Sequence, residues 1–218
     1  MRSQPRTVLD VACGTGQLAS VFLEHGFDVI GIDLSPHMIE IAVENNRVAV
    51  EAGRAAFRVA DASSFTIPDS VSFAVSTFDA LNHLPSIDAL KGCFQSVYAA
   101  LGSRGLFVFD LNTARGLARW NGINVQDSDE LTVINRGIYA PGADRAYTSI
   151  TGFVRRDDGA YDRFKEVAYN TVFKMADVNR VLTETGFRET YVADSTDLGA
   201  RIEDPEAMGR AFFVCTKE

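Results

Sequence analysis

The sequence has few of the residues that build metal sites and disulfide frameworks. It contains three cysteines, three histidines and one tryptophan in 218 residues. The cysteines are far apart and include no C-x-x-C pair, which excludes the usual zinc spacings and a disulfide scaffold. We therefore expect no metal site and a reducing, cytoplasmic location for Cys13, Cys93 and Cys215.

Long apolar runs and an excess of cationic residues are also missing. No apolar stretch approaches the ~20 residues that span a bilayer, and residues 1–6 have no apolar signal region. Lys plus Arg total 21 against 29 Asp plus Glu, a formal net charge of −8. Because phosphate backbones are bound by clustered cations, this balance argues against a nucleic-acid partner. The sequence predicts a soluble protein without a membrane partner and leaves the oligomeric state open.

The first half of the chain alternates short apolar runs with amphipathic stretches, which is typical of βαβ units and a parallel sheet. Ser35 followed by Pro36 is a typical helix start. The predicted strands are residues 7–11, 28–32, 56–60, 71–77 and 105–109, with helices at 18–25, after Ser35 and at 88–101. A helix at 175–185 and strands at 187–193 and 210–216 are predicted to close the same sheet.

The pattern changes after Asn112. Three longer strands are predicted at residues 130–139, 146–156 and 161–174, joined by turns at Pro141-Gly142 and Asp157-Asp158-Gly159. This is an antiparallel meander. We therefore predict one α/β domain in which residues 1–112 form the first part, 113–174 an inserted antiparallel β-lid, and 175–218 the closing helix and strands.

A carboxylate and two glycines stand where the first strand meets its helix, in Asp10-Val-Ala-Cys-Gly-Thr-Gly16. Glycines at such a turn let a ligand approach the backbone closely. A carboxylate ahead of them would repel a pyrophosphate but would pair with a cationic amino-acid group. The alternative is a tight turn that binds nothing.

Two further aspartates end the next two predicted strands. Asp33 would accept hydrogen bonds from both ribose hydroxyls of a nucleoside, or would serve only as a charge at a helix N-terminus. Asp61 would accept a hydrogen bond from an adenine amino group while the Ala62 amide donates to a ring nitrogen; its alternative is a turn residue. Three acidic residues at three successive strand ends favour a nucleoside that carries an amino-acid group.

These segments resemble the motifs of class I S-adenosylmethionine-dependent methyltransferases. Val8-Leu-Asp-Val-Ala-Cys-Gly-Thr-Gly16 resembles the first motif, Ile32-Asp-Leu-Ser-Pro-His-Met-Ile39 the second, Val59-Ala-Asp-Ala62 the adenine motif, and Leu101-Gly-Ser-Arg-Gly-Leu-Phe107 the turn into the fifth strand. The lid is similar to that of small-molecule members. The resemblance implies an α/β fold, a Rossmann-like doubly wound seven-stranded sheet with an inserted antiparallel β-lid, and S-adenosyl-L-methionine as cofactor.

The resemblance also implies a set of cofactor-binding residues. Asp10 would hold the methionine moiety, lined by the backbone of Ala12, Cys13, Gly14, Thr15 and Gly16; Asp33 would hold the ribose; Leu34 and Met38 would pack on the adenine; Asp61 and Ala62 would read its edge; and Phe78 would lie near the sulfonium. The family often has glycine where this chain has Ala12, so a less close turn is expected. Family members usually have a helical segment before the first motif, and seven residues precede Val8 here. Closure of the site is therefore expected from a further N-terminal segment, the lid or a partner chain.

The segment Thr77-Phe-Asp-Ala-Leu-Asn-His83 follows the fourth predicted strand, at the sheet edge where ligands bind. His83 is the candidate general base, because its ordinary pKa lies near physiological pH; the alternative is a helix cap or a packing residue. Asp79 and Asn82 would orient an acceptor. Methyl transfer is an in-line displacement, so the protein mainly holds the acceptor in line and away from water.

Aromatic and cationic residues of the lid are a second candidate group. Arg115, Arg119 and Trp120 would bind an anionic or aromatic substrate, or Trp120 would anchor the lid while the arginines face solvent. The four lid tyrosines are predicted to be cross-strand packing partners: Tyr139, Tyr147, Tyr161 and Tyr169.

The sequence therefore predicts a methyltransferase (EC 2.1.1.-) that transfers a methyl group to an N or O atom of a small molecule. The alternatives are an S-adenosylmethionine-binding protein with little or no turnover, and an RNA or protein methyltransferase. A nicotinamide dehydrogenase is disfavoured, because residues 12–17 read Ala-Cys-Gly-Thr-Gly-Gln and do not fit G-x-G-x-x-G.

Overall fold

The computed structural model describes residues 6–218. Residues 1–5 lie outside the described part. They include the start of the predicted 1–112 segment and most of the N-terminal stretch without an apolar signal region. Residues 6–218 form eleven strands and six α-helices. The strands are β1 Thr7–Val11, β2 Asp28–Asp33, β3 Ala55–Val59, β4 Val71–Ser76, β5 Leu101–Asn112, β6 Gly122–Asp127, β7 Leu131–Ile138, β8 Arg145–Arg155, β9 Tyr161–Thr171, β10 Glu189–Ala193 and β11 Arg210–Thr216. The helices are α1 Gln17–Glu24, α2 Pro36–Asn45, α3 Arg47–Glu51, α4 Ile87–Ala100, α5 Ala114–Ala118 and α6 Met175–Thr185.

The central sheet has seven strands in the order β10-β11-β5-β4-β1-β2-β3. Strands β1 to β5 pair in parallel, and β11 runs antiparallel to both β5 and β10. The strand order reverses between β1 and β4, since the chain moves outward to β2 and β3 on one side and to β5 on the other. Ligands bind in the crevice that such a reversal opens at the carboxyl ends of the strands. The predicted Rossmann-like doubly wound sheet is confirmed.

The core lies on the side of the sheet that α4 and α6 cover. Phe107 and Phe109 of β5 and Phe213 of β11 are fully buried there. The rings of Phe109 and Phe213 stack with centroids 4.8 Å apart. The apolar run predicted for the fifth strand therefore reflects burial, as expected for a strand at the centre of a covered sheet.

The predicted helix signals have the expected local geometry. Ser35 caps α2, because its side chain accepts a hydrogen bond from the Met38 N–H, and Pro36 is the first residue of the helix. Gly26 and Gly186 follow α1 and α6 with φ of 82° and 111°, the left-handed conformation that ends many helices.

Two boundaries near β5 differ from the prediction. The helix predicted at 88–101 ends at Ala100, and β5 begins at Leu101 instead of residue 105. The β4–β5 register shifts in this stretch, and Arg104 adopts φ 61°. An irregular strand start with such a residue looks like a turn in the sequence, which explains the error.

The lid is a separate antiparallel sheet of four strands in the order β6-β7-β8-β9. Three of them lie where strands were predicted, although β9 ends at Thr171 and not at residue 174. The prediction missed β6 and the short helix α5. All six residues of β6 are exposed, so no alternation of buried and exposed positions marked it as a strand.

The lid sheet packs on the short helix α5 through a small buried cluster. Leu117 of α5 packs with Tyr139 and Ala146 of the lid, and Trp120 packs against this cluster. A Cβ on Gly137 would lie 2.0 Å from the Trp120 carbonyl oxygen, so glycine is required for this approach. Trp120 therefore packs within the inserted segment, and its role in anchoring the lid to the body stays a prediction. Within residues 6–218, no helix is both long and apolar enough to cross a membrane.

Candidate functional site

A cavity of about 470 Å³ opens at the carboxyl ends of β1 to β4, where the strand order reverses. His83 and all the predicted cofactor-binding residues except Gly16 and Met38 contribute to its lining. Residues not singled out from the sequence complete the wall: Gln17, Leu18, Ala60, Thr77, Ala80 and Leu84. These are mostly small or apolar residues next to the motifs, and no chemical signal in the sequence distinguished them.

The turn after β1 follows a tight, partly strained path. Ala12 adopts φ 60° and Gly14 φ 53°, the left-handed region that costs an alanine about 1 kcal/mol or more. The Cys13 N–H donates to the Ile32 carbonyl, and the Gly14 N–H donates to Asp33 Oδ2 at 2.9 Å. The first glycine turn is thus fastened to the end of β2.

Gly16 and Met38 lie outside the cavity lining. Gly16 adopts φ 75°, and a Cβ there would lie 2.7 Å from Asn46 Nδ2 and 3.1 Å from Ala42. Its carbonyl accepts a hydrogen bond from Asn46 Nδ2. Gly16 therefore allows α1 and α2 to approach each other, while the Met38 side chain is partly exposed.

Asp10 is the most unusual acid of the cavity. The residue is 2 % exposed, and no group among residues 6–218 forms a hydrogen bond with its Oδ2. Burial, followed by the negative charge of Asp33, raises the pKa of the Asp10 carboxyl to about 7. A buried carboxylate without a partner is costly, so this atom is suited to a cationic ligand group.

Asp33 ends β2 with both carboxylate oxygens directed at backbone amides. Oδ2 accepts from the Gly14 N–H and Oδ1 from the Ser35 N–H, each at 2.9 Å. Since each oxygen has a further lone pair, the group can still accept hydrogen bonds from a ligand. The first bond also joins the glycine turn to the second motif.

Asp61 and Ala62 lie in a turn that packs on α4. Asp61 Oδ1 accepts from the Ser63 N–H at 2.8 Å, and the residue lines the cavity. A Cβ on Gly92 of α4 would lie 2.3 Å from the Ser63 carbonyl oxygen. A glycine in the middle of this helix is therefore needed to bring the turn to the cavity.

The segment after β4 combines exposure with backbone strain. Phe78 is 80 % exposed, and both Phe78 and Asp79 are left-handed, with φ of 60° and 52°. Arg210 pairs with Asp79 at 2.6 Å and with Asp110 at 3.3 Å, and the Asp79 N–H donates to Asp110. Burial raises the pKa of Asp110, and the Asp79 N–H and the Arg210 charge oppose that shift.

Sequence reasoning missed Asp110, Arg210 and Asn170, which surround Asp79. Asp110 lies in the apolar run of β5, where the sequence indicates only a buried strand. The other two lie on strands far along the chain from the motifs, and no local signal marks them. Asp79 and Asn82 do not line the cavity, and their role in orienting an acceptor stays a prediction.

His83 lines the cavity at the end of a short 3-10 helix, Ala80–His83. Its ring is exposed, so packing does not hold it in one orientation. Arg115, Arg119 and Trp120 do not line this cavity. Arg119 and Trp120 instead border a second cavity of about 490 Å³ on the lid.

Two lid tyrosines lie opposite each other on neighbouring strands, and the cysteines are buried. Tyr147 pairs with Tyr169 across β8 and β9, and the Arg145 guanidinium lies 4.4 Å from the Tyr169 ring centre. All three cysteines are buried and free, and burial raises the pKa of each thiol. Within residues 6–218, no group of three His, Cys, Asp or Glu side chains is placed to hold a metal ion.

The cavity fits a nucleoside that carries a cationic amino-acid group. Its volume is in the range of small-molecule sites. Among the described residues, none forms a hydrogen bond with Asp10 Oδ2, so this atom would accept from an ammonium. Asp33 and Asp61 each keep acceptor capacity at the ends of the next two strands, and Phe78 presents an exposed aromatic ring that favours a cation.

Comparisons with known proteins identify relatives of this chain. Residues 8–105 match a family model described as "Methyltransferase domain". A Geobacillus sp. (strain WCH70) protein named "Putative methyltransferase" is 30% identical over 223 residues, which cover 99% of this chain and 86% of that protein.

Two solved structures share the fold. An S-adenosylmethionine-dependent methyltransferase from Clostridium acetobutylicum ATCC 824 superposes with a TM-score of 0.82 at 23% identity, covering 97% of this chain and 84% of that chain. The SAM-bound structure of an amino pentose methyltransferase from Micromonospora echinaspora gives a TM-score of 0.72 at 18% identity, covering 100% and 85%.

Proposed function

The chain belongs to the class I S-adenosylmethionine-dependent methyltransferases, and on that premise we propose that it transfers a methyl group to an N or O atom of a small molecule. S-Adenosyl-L-methionine supplies an electrophilic methyl group on a sulfonium when it is bound. The observation that carries the proposal is the buried, unpartnered Asp10 carboxylate at the wall of the 470 Å³ cavity.

In this proposal the three strand-end aspartates hold the three parts of the cofactor. Asp10 pairs with the ammonium of the methionine moiety, Asp33 accepts from the ribose hydroxyls, and Asp61 with the Ala62 N–H reads the adenine edge. The backbone from Ala12 to Thr15 lines the methionine moiety, and Leu34 packs beside the adenine.

Phe78 would then lie against the sulfonium, with its ring face toward the cation. Its position supports this role, because Phe78 and the glycine turn line the same cavity. The acceptor would enter beside Phe78 and His83. The chain's main task there is to hold the acceptor in line with the methyl group and away from water.

The charge and geometry of the cavity favour an amine as acceptor. As far as residues 6–218 line the cavity, they contribute three aspartates and no lysine or arginine, so an anionic acceptor would be repelled. A hydroxyl acceptor usually requires an oriented general base, and the exposed His83 ring is not held by packing. An amine needs only to lose its proton before transfer, which it can do to solvent. The SAM-bound neighbour described above acts on an amino pentose, which is consistent with this preference.

The test is methyl transfer from radiolabelled S-adenosylmethionine to a panel of small amines, amino sugars, phenols and sugar alcohols. We expect label on amine members, and a rate for His83→Ala within about threefold of the unmodified chain, since loss of a true general base costs 10²–10⁴-fold. Arg180→Gln, which breaks exposed ion pairs on α6, is the matched control. Cofactor binding without transfer to any compound would favour a protein with little turnover, and labelling only of RNA or protein would overturn the small-molecule assignment.

A further inference from the structure

We propose that Asp79 is a positioning residue that couples the seating of the lid sheet to the cofactor cavity. The inference rests on the proposed assignment of that cavity to the cofactor. It concerns a carboxylate outside the cavity lining, which acts through the adjacent Phe78 and through the lid strand β9.

Asp79 joins the body and the lid with its two carboxylate oxygens. Oδ1 accepts from the Arg210 guanidinium of β11 at 2.6 Å, and Oδ2 accepts from the Asn170 amide of β9 at 3.1 Å. Its backbone N–H donates to Asp110 Oδ2 of β5 at 2.9 Å. Two body strands and one lid strand therefore meet on a single residue.

These contacts hold a backbone conformation that the residues would not adopt alone. Phe78 and Asp79 are consecutive left-handed residues, and neither is glycine. Such a conformation is unfavourable for residues with a Cβ and persists only where surrounding contacts enforce it. Because Phe78 directly precedes Asp79, the contacts of Asp79 determine where the Phe78 ring stands at the cavity.

The lid strand makes further contacts with the same segment. The Asn82 amide donates to the Thr171 carbonyl at 2.9 Å, and the Thr171 hydroxyl donates to the Leu84 carbonyl at 2.6 Å. Leu84 lines the cavity, whereas Thr171 ends β9. The segment between β4 and α4 is thus bonded to the lid at one side and forms the cavity wall at the other.

A ligand that orders this wall should therefore also order β9. Coupling of this kind requires one element whose conformation both sites influence, and the segment from Phe78 to Leu84 meets that requirement. The lid would become firmly seated when the cofactor is bound, at the time when water must be excluded from the acceptor.

The experiment is hydrogen exchange of the full chain with and without S-adenosylhomocysteine, together with calorimetric titration. In the unmodified chain we expect the ligand to slow exchange in residues 77–84 and in 166–171. In Asn170→Ala it should slow exchange in 77–84 alone, with a Kd about threefold to thirtyfold higher. Asp79→Asn, whose amide offers one acceptor oxygen and so cannot serve both donors, should behave similarly if Asn170→Ala does not fold.

Asn135→Ala is the matched control. On β8, Asn135 pairs with Ile150 and Asn170 pairs with Ala146. These two β8 positions are four residues apart, an even number, so both asparagines lie on one face of the lid sheet. The control should keep protection in both segments. If Asn170→Ala binds the ligand and residues 166–171 are still protected from exchange, this inference alone is overturned. If the unmodified chain does not bind S-adenosylhomocysteine, the assignment of the cavity to the cofactor is overturned as well.

Discussion

Cofactor affinity should depend on pH through Asp10. The folded chain holds this carboxyl with a pKa of about 7, first because it is buried and second because Asp33 is charged. If Asp10 pairs with the ammonium of the cofactor, only the ionised carboxylate binds it well. Protonation below pH 7 therefore competes with the ligand, and binding at pH 6 should release close to one proton.

The size of the effect follows from the distance between the pH and the pKa. At pH 5, two units below the pKa, about one chain in a hundred is ionised at Asp10, so Kd should rise roughly 100-fold over its limit at high pH, or about 2.7 kcal/mol. The full 100-fold rise in Kd is expected as long as the pKa of Asp10 in the complex stays below 5. Asp10→Asn, which has no charge at any pH, should bind weakly and with little pH dependence.

The same pKa affects the stability of the ligand-free chain. Because the ordinary Asp value is 3.8, the folded chain binds more protons than the unfolded chain between about pH 4 and 7. The free energy of unfolding should therefore fall as pH rises through that window, by up to about 1.4 kcal/mol per pH unit and at most ~4 kcal/mol in total. In Asp10→Asn, the free energy of unfolding should not show this fall with rising pH.

Isothermal titration of S-adenosylhomocysteine at pH 5, 6, 7 and 7.5 measures Kd, and buffers of different ionisation enthalpy give the proton count. Asp10→Asn also controls for any pH dependence that does not come from Asp10. A constant Kd for the unmodified chain from pH 5 to 7.5, or an equal pH dependence in Asp10→Asn, would show that Asp10 does not pair with the ligand.

Three further predictions concern the backbone and the second aspartate. Ala12→Gly should raise the free energy of unfolding by about 1 kcal/mol in urea denaturation, because φ 60° suits glycine; a lower stability would contradict the strain argument. Gly92→Ala should lower stability by about 1–3 kcal/mol and weaken cofactor binding, since its Cβ would lie 2.3 Å from the Ser63 carbonyl oxygen. Gly102→Ala, whose Cβ has its nearest neighbour at 3.6 Å, is the control, and an equal effect in both would refute that cause. Asp33→Ala should weaken S-adenosylhomocysteine binding by roughly 1–3 kcal/mol, and unchanged affinity in titration calorimetry would remove Asp33 from the site.

The cofactor half could be predicted from the sequence because its signals are local. A strand, a turn with glycines and a helix follow one another within a few residues, so Asp10, Asp33 and Asp61 could each be placed at a strand end. Parallel strands put their carboxyl ends at one edge, which brings all three aspartates to one cavity.

The lid and its junction could be predicted only in part because their signals are not local. Strand β6 is exposed at every position and has no buried face to reveal its period. The partners of Asp79 come from β9 and β11, 91 and 131 residues further along the chain. Such pairings depend on how the sheets pack, and a single sequence does not show that.

Gly16 illustrates a different gap between motif and contact. Its place in the glycine turn suggested contact with the ligand, but the space it leaves is taken by Asn46 and Ala42 of α2 and its cap. A motif identifies where glycine is required. It does not show whether a ligand or another helix needs the room.

The Asn82 side chain holds both ends of the lid insertion. Its amide donates to the Asn112 carbonyl, where the chain leaves β5, and to the Thr171 carbonyl, where it returns, while its oxygen accepts from the Asn112 N–H. The stretch between those two residues therefore starts and finishes at one point of the cofactor half. Asn170 and Thr171 at its end contact Asp79 and Leu84 and so must be kept, whereas we expect the rest of the insertion to tolerate changes of length and sequence. The junction is therefore a natural crossover point for recombination between related enzymes. We expect chimaeras joined there, with these two residues retained, to combine the central sheet of one parent with the lid of another.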